Sequence, residues 1–393
     1  MPDKTAPNST RSVAVAMSGG VDSSVAALLL LEQGYSVFGV TMVHREDAAT
    51  GVTNQAAQEA AAVCRHLGIR HEILDLRELF SRQVIAAFMA EYLAGHTPNP
   101  CVLCNVTIKW GALAPWALAH GADRFATGHY ARIVHDPRSG RHLLRKGSSL
   151  AKDQSYALWR LTQEQLSHTV FPLGDFTKEQ VRTLAGEAKL PAAHKSESQD
   201  ICFIPDDDYP GYLCRALAAS GTQITAGKIV DKNGKVLGMH RGYPFYTVGQ
   251  RKGLGIAMGH PVYVTHIDAV KNQIVIGDKT DLLKNGLEAD QANWIAVSEA
   301  PLLQTFEARI RYKDPGYPCR IESARGSRFS LRFIEPRPAI TPGQSAVIYD
   351  GEFVIGRTSA VDIAAGAHDA DPEKIARHAR KRRVHLRILA LIV

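Results

Sequence analysis

Up to about Pro205, short apolar runs alternate with longer stretches whose apolar residues recur at helical spacing. Runs at Val13–Met17, Val37–Val43, His71–Leu74 and Arg124–Thr127 predict strands, and Ser23–Gln33, Gln55–Leu67 and Phe80–Leu93 predict helices. Lys178–Ala188 predicts another helix, with Thr177 placed as its N-cap. Strands alternating with helices imply a parallel sheet, because parallel neighbours need a long crossover between them.

Beyond Pro205 the texture changes. Glycine-rich turns separate short β-like runs at Gly227–Val230, Tyr243–Val248, Val262–Asp268 and Ile274–Gly277. A second block follows at Trp294–Val297, Phe306–Tyr312, Ser330–Phe333 and Ser345–Ile355. Lys232-Asn233-Gly234-Lys235 and Asp350-Gly351 predict hairpin turns, since glycine and asparagine accept positive φ. The expected fold class is α/β: an N-terminal parallel-sheet domain followed by two small β domains. The expected boundaries are a disordered 1–10, an α/β domain at 11–205, a central β domain at 206–284, a β-barrel-like domain at 285–362 and a basic tail at 363–393. Lys374 to Arg387 carries seven Lys/Arg and precedes the apolar Ile388–Val393; a poorly ordered end is the expectation, and no site is assigned to it. No internal repeat is visible.

The length of 393 residues suits two or three domains, and a formal charge of +7 favours an anionic partner without choosing nucleic acid over membrane. No apolar run approaches the ~18 residues of a membrane span, so no membrane partner is expected. The N-terminus MPDKTAPNST lacks a signal-peptide core, which points to the cytoplasm. Six cysteines occur, at 64, 101, 104, 202, 214 and 319. In a reducing compartment, close thiols are catalytic or metal-binding more often than structural. Cys64 lies in an apolar helical pattern and reads as core, and Cys214 and Cys319 read as structural. His44, His66, His71 and His96 lack metal-ligand spacing, and Asp206-Asp207-Asp208 reads as a solvated turn.

Between the first strand and first helix stands Met17-Ser18-Gly19-Gly20-Val21-Asp22-Ser23-Ser24. A helix start offers unpaired N–H groups and partial positive charge, glycines admit phosphate to the backbone, and serines add hydroxyl donors. Neither Gly-Lys-Ser/Thr nor GxGxxG is present, so the loop lacks the lysine that clamps a γ-phosphate. Asp22 is a candidate Mg²⁺ ligand. The string resembles the pyrophosphate loop (PP-loop) of the ATP-pyrophosphatases, the adenine nucleotide alpha-hydrolase-like group that splits ATP to AMP and pyrophosphate while adenylating a carbonyl oxygen.

Two further segments carry sulfur: Thr97-Pro98-Asn99-Pro100-Cys101-Val102-Leu103-Cys104-Asn105, and Ser198-Gln199-Asp200-Ile201-Cys202-Phe203. Thiolate or persulfide sulfur is a strong nucleophile toward an ATP-activated carbonyl. With AMSGGVDSS (16–24), TPNPCVLCN (97–105), ATGHYAR (126–132), KDQSYAL (152–158), SQDICFI (198–204), YTVGQRKGLGI (246–256), RIRYKD (309–314) and TPGQSAV (341–347), the chain resembles the tRNA-specific 2-thiouridylases from about Arg11 to Asp362. That family converts the wobble uridine (U34) of certain tRNAs to 2-thiouridine, with ATP and persulfide sulfur.

The resemblance implies the following roles. Ala16, Met17, Ser18, Gly19, Gly20, Val21, Asp22 and Ser23 hold ATP, with Met42 and Gly128 beside the nucleotide. Cys104 is the nucleophile and Cys202 carries the persulfide. Asn99, Pro100 and Cys101 meet the target base. His129, Lys152, Asp153, Gln154, Arg311, Tyr312 and Gln344 contact tRNA. Arg309 and Arg311, two apart on an expected strand, would share one face as an exposed basic strip. Cys101 stands where some relatives have an acid–base Asp. The substitution creates Cys-x-x-Cys and leaves a second sulfur route open: Cys101, Cys104 and Cys202 holding a [4Fe–4S] cluster with a bound sulfide. The persulfide route stands ahead, since it needs no extra cofactor. The competing functions are an adenylating synthetase acting on a small molecule, and a non-catalytic RNA-binding or iron–sulfur sensor protein. ATP, Mg²⁺, tRNA and a persulfide donor or relay protein are the expected cofactors and partners.

Overall fold

Val13, Ala14 and Val15 are wholly buried, as befits a central parallel strand covered on both faces. A computed structural model describes residues 11–45, 55–195, 201–204, 208–219 and 221–362 of the chain. The expectations for 1–10, the basic tail, Asp206 and Asp207 lie outside the described residues. The first sheet uses β1 (Ser12–Ala16), β2 (Ser36–Val43), β3 (His71–Asp75) and β4 (Arg124–Ala126). After a hairpin of β5 (Ala131–Asp136) and β6 (Arg141–Lys146), it adds β7 (Thr169–Val170). Its order is β3-β2-β1-β4-β7, all parallel. The chain winds outward through β2 and β3, then returns to place β4 on the other side of β1. That reversal opens a crevice beyond the carboxyl ends of β1 and β4, where open α/β sheets bind ligands.

The helix after β1 begins at Val21, two residues before the expected start, so Val21 and Asp22 belong to its first turn. The predicted 80–93 helix starts at Arg77 and passes through a π-helical stretch at Ser81–Ile85. A second long helix, Pro100–Ala119, contains another π-helical stretch at Asn105–Leu113. The expectation of no membrane-length run needs correcting here, because these 20 residues are long and apolar enough to span one. Their packing is that of a core helix: Trp110, Leu113, Ala114 and Ala117 join the cluster under the first sheet, while Cys104 and Ile108 join the next one.

The second sheet has β8 (Gly227–Val230), β9 (Val236–His240), β10 (Tyr263–Asp268) and β11 (Gln273–Gly277), ordered β10-β11-β8-β9. The turn between β8 and β9 forms as expected: Gly234 takes φ +85°, and Asp231 Oδ1 accepts from Asn233 N and Lys235 N, both at 2.9 Å. Tyr243–Val248 is no strand. Pro244 lacks a donor, and Tyr243–Phe245 instead makes a 3₁₀ turn with Pro244 and Phe245 buried.

The third sheet takes β12 (Leu283–Trp294), β13 (Thr305–Arg309), β14 (Tyr317–Arg325), β15 (Arg328–Pro338), β16 (Ser345–Asp350) and β17 (Phe353–Asp362). Pairing of β12 with β17 closes the six strands into a barrel, which removes their edges. The expected strand at Trp294–Val297 is only the end of β12, and the one at Phe306–Tyr312 stops at Arg309. The hairpin β5–β6 gave no strong signal in the sequence. It leaves the first domain and extends the third sheet through Phe353 opposite Arg145. Side chains fasten this junction: Arg141 donates to the carbonyls of Ile295 and Trp294, each at 2.8 Å, and Lys146 pairs with Glu307 at 2.9 Å.

Candidate functional site

The loop after β1 is shaped by its glycines. Gly19 has φ +72°, and a Cβ there would lie 2.8 Å from the Ala56 carbonyl oxygen. Gly20 starts the helix with no side-chain cap among the described residues, which leaves first-turn N–H groups for an anion to meet. Ser23 Oγ donates to the Gly20 carbonyl at 3.1 Å and accepts from Ser18 N at 3.2 Å, which fixes the loop. Ser24, also offered as a phosphate donor, is wholly buried and donates to the Gly20 carbonyl at 2.8 Å; its hydroxyl is structural. Met42, near the end of β2, packs between the two clusters that flank the crevice.

Gly128 follows β4 across the crevice. A Cβ there would lie 2.8 Å from both Asp22 C and Ser23 N, so only glycine lets the segment after β4 approach the first turn of the helix this closely. Gly128→Ala is therefore expected to push the loop aside and weaken ATP at least about tenfold, or ~1.4 kcal/mol, by calorimetric titration, with the melting temperature nearly unchanged.

The lysine that the loop sequence lacks comes from elsewhere. Lys178, first residue of the helix Lys178–Glu187, has only 8% of its surface exposed and donates to Asp22 Oδ1 at 2.6 Å. Tyr130 Oη donates to the same oxygen at 2.7 Å. Thr177 sets the helix start through a reciprocal capping box with Gln180, as its position predicted. Lys195 reaches the other side of the loop, donating to the Gly19 carbonyl at 3.2 Å and pairing with Glu59. Neither lysine was singled out from the sequence, because nothing in local spacing tells which distant ammonium folds onto a loop.

The thiols converge from two segments. Asn99 Oδ1 accepts from Val102 N at 3.4 Å, and Pro100 opens the helix at N1, so the extended Thr97-Pro98 approach turns directly into the Cys101–Cys104 turn. Cys104 is 7% exposed and packs with Phe80, Phe88 and Phe203; burial pushes its thiol up to about 12, against an opposing pull from Lys109. Cys101 and Cys202 are exposed. Protein around Cys202 still raises its thiol, with Cys101 adding to the rise and Lys109 and Arg45 opposing it. Cys104 shares a buried cluster with Phe203, the residue after Cys202, so the two segments pack together. Among the described residues no three His, Cys, Asp or Glu side chains gather as metal ligands. The possible cluster on Cys101, Cys104 and Cys202 is therefore not favoured: Cys104 is buried in a cluster with phenylalanines, whereas Cys101 and Cys202 are exposed.

His129 joins the two halves of the site. It follows Gly128, its Nδ1 lies 2.7 Å from Thr127 Oγ1, and its Nε2 lies 3.4 Å from Lys109 Nζ. Burial, then Lys109, holds its imidazole neutral. With the ammonium donating to Nε2, the ring proton sits on Nδ1.

The expected tRNA-contact residues divide into two groups. Lys152 is partly exposed and Tyr312 exposed. Asp153 is not at the surface: it pairs with buried Arg309 at 3.1 Å and accepts from Gly147 N, Ser155 N and Ser155 Oγ. Gln154 accepts from Tyr130 N at 2.9 Å. Arg311 binds the carbonyls of Val248 and Ala339 and the Thr341 hydroxyl, joining the central and barrel sheets, and Gln344 donates to the Thr97 carbonyl at 2.9 Å. The expected exposed strip of Arg309 and Arg311 is thus absent, since β13 ends between them and both guanidiniums are bound internally. Asp153→Ala should leave the buried Arg309 with only the longer pairing to Glu307 at 3.7 Å and cost about 3 kcal/mol in urea unfolding.

Three family models match the chain in succession: a tRNA methyl transferase HUP domain over residues 11–206, a tRNA methyl transferase PRC-barrel domain over 215–278, and an aminomethyltransferase beta-barrel domain over 284–359. A protein of Moorella thermoacetica named tRNA-specific 2-thiouridylase MnmA is 48% identical over 349 residues, covering 87% of this chain and 97% of that protein. Proteins of the same name from Carboxydothermus hydrogenoformans and Heliobacterium modesticaldum are 46% and 48% identical, each over 88% of this chain and over 96% and 91% of their own. A loop built for pyrophosphate, thiols on two segments that pack together and this extent of identity place the chain in the family of the tRNA-specific 2-thiouridylases.

Proposed function

We propose that the chain replaces the C2 oxygen of the wobble uridine (U34) of tRNA by persulfide-derived sulfur, releasing AMP and pyrophosphate. It is a tRNA-uridine 2-sulfurtransferase with an ATP-binding PP-loop domain. The observation that supports the finer reading is the packing of the Cys104 helix against the segment that carries Cys202, with Lys109 of that helix at His129, next to Gly128 against the loop.

In this reading the loop Ala16–Ser23, with Met42 and Gly128, holds ATP while its α-phosphorus is attacked by the uridine C2 oxygen. Helix N–H groups, Lys178 and Lys195 stabilise the departing pyrophosphate. Asp22 Oδ2 makes no hydrogen bond among the described residues, and one carboxylate oxygen together with phosphates is a donor set that Mg²⁺ accepts. When bound there, Mg²⁺ would neutralise phosphate charge. Asn99, Pro100 and Cys101 meet the base, which leaves the anticodon stack to reach them. The terminal sulfur of a Cys202 persulfide attacks C2 and AMP departs. The Cys104 thiolate then attacks the Cys202 sulfur, releasing the 2-thio group and forming a Cys104–Cys202 disulfide. Lys152 and Tyr312 offer exposed contacts to the tRNA, while Asp153, Gln154, Arg311 and Gln344 hold the surfaces that meet it.

The setting proposed is the cytoplasm, with a persulfide donor or relay protein as partner. The proposed division is 11–205, 206–284 and 285–362, with the β5–β6 hairpin crossing to the barrel. Neither the iron–sulfur route nor a small-molecule synthetase is favoured: the first lacks its ligand set among the described residues, and the second has no need of paired thiols. The test is nucleoside mass analysis of tRNA after reaction with ATP and a persulfide source. The expected result is a uridine heavier by the exchange of oxygen for sulfur, with pyrophosphate released only when tRNA is present. Pyrophosphate release indifferent to tRNA would overturn the reading.

A further inference from the structure

Lys109 has no part in any role considered so far, yet it stands at the centre of the site. It lies on the π-helical stretch Asn105–Leu113, five residues beyond Cys104. In a regular α-helix five residues are roughly 140° apart around the axis. The wider π turn, whose i→i+5 bonding is seen in Ala114 N donating to the Lys109 carbonyl, brings them toward one face. Lys109 Nζ reaches within 3.4 Å of His129 Nε2 on the opposite wall. Among the described residues it forms no ion pair with a carboxylate, so its charge is not spent on a structural partner.

We infer that Lys109 is the positioning cation of the sulfur chemistry: its ammonium is held at His129 on the helix that carries Cys104, and its neighbour Ile108 shares one buried cluster with Cys104 and with Phe203, the residue after Cys202. This deepens the thiolation reading and rests on it. The groups that face this space are Cys101 and Cys104 on the same helix, Cys202, His129, His44 and Arg45. Lys109 acts on Cys104, Cys202, His44 and His129 alike, whereas Arg45 acts on Cys202 and His44. Burial opposes thiolate at both cysteines, and a nearby cation is the usual remedy. His129, kept neutral, can accept from the ammonium without competing for its charge, so the dyad orients the lysine without neutralising it. The second π stretch at Ser81–Ile85, whose helix carries Phe80 and Phe88 against Phe203, packs on the Pro100–Cys104 turn and supports this geometry.

The experiment is iodoacetamide labelling of the full-length protein across a pH series, with peptide mass mapping to read each cysteine separately. It needs neither ATP nor tRNA. In Lys109→Met, Cys202 labelling should shift upward by about one pH unit, or roughly tenfold slower at a fixed pH below the midpoint. Lys109→Arg should restore most of it, and Cys214, exposed on the helix Tyr209–Ala219, serves as the internal control. If Lys109→Met does not fold, Lys109→Gln carries the same expectation. A folded uncharged variant with the native Cys202 profile would overturn the inference, as would a shift that Lys109→Arg fails to reverse. Absence of thiolated tRNA with the native enzyme would instead remove the thiolation reading and leave the labelling result standing.

Discussion

The Cys202→Ser enzyme is expected to bind ATP like the native protein and to thiolate tRNA more slowly by at least about 10³-fold. A serine hydroxyl cannot carry a persulfide, so the sulfur has no route to C2. Cys202 is exposed, and a surface substitution there should change stability by no more than about 0.5 kcal/mol. Loss of activity therefore reports chemistry. Cys104 demands a different replacement. It is buried among Phe80, Phe88 and Phe203, where an unpaired hydroxyl would cost about 1–3 kcal/mol, so Cys104→Ala is the cleaner variant. It should stall one step later than Cys202→Ser, with tRNA held to Cys202 through a disulfide that dithiothreitol releases. Single-turnover assays with persulfide-loaded protein, read by nucleoside and peptide mass analysis, separate the two outcomes.

Lys178→Met should weaken ATP and pyrophosphate binding by at least tenfold, about 1.4 kcal/mol, in calorimetric titration. Two effects combine. The loop loses the buried ammonium beside the phosphates, and Asp22 loses a partner at 2.6 Å. Breaking a fully buried pair costs about 3–5 kcal/mol, but the Asp22 side chain is 35% exposed, so about 2 kcal/mol in urea unfolding is the expectation. Tyr130 continues to donate to Asp22 and keeps the carboxylate in place. Lys178→Arg should not restore binding, because a planar guanidinium does not fit a site built around a point charge, closed by Tyr130 and the Val21–Glu32 helix. Unchanged ATP affinity in a folded Lys178→Met protein would remove Lys178 from the phosphate site.

Much of the nucleotide half was legible because its signals are local. β1 is one uninterrupted apolar run, the loop is one contiguous string, and Thr177 announces its helix by a cap. The sulfur half was legible through its motifs, but its geometry was not. Cys104 ends the turn Pro100–Cys104, and where Lys109 falls relative to it depends on a π-helical register that apolar periodicity does not reveal. The partners of residues that join domains were not legible. Asp153, Arg309, Arg311 and Gln344 are polar and suggest water or RNA, yet each is bound across a domain junction. Sequence shows their polarity but not the partner that binds it. The β5–β6 hairpin was missed for a related reason: its pairing partner in the barrel lies some two hundred residues further on, at Phe353.

The central claim is that sulfur passes from Cys202 to the uridine and that Cys104, from a distant segment, releases it by bridging to Cys202. Peptide mapping under non-reducing conditions, after one turnover of persulfide-loaded enzyme with ATP and tRNA, examines that encounter directly. A bridged peptide pair containing Cys104 and Cys202, in step with each tRNA modified, is the predicted result; modified tRNA accompanied by two unbridged cysteines would contradict it.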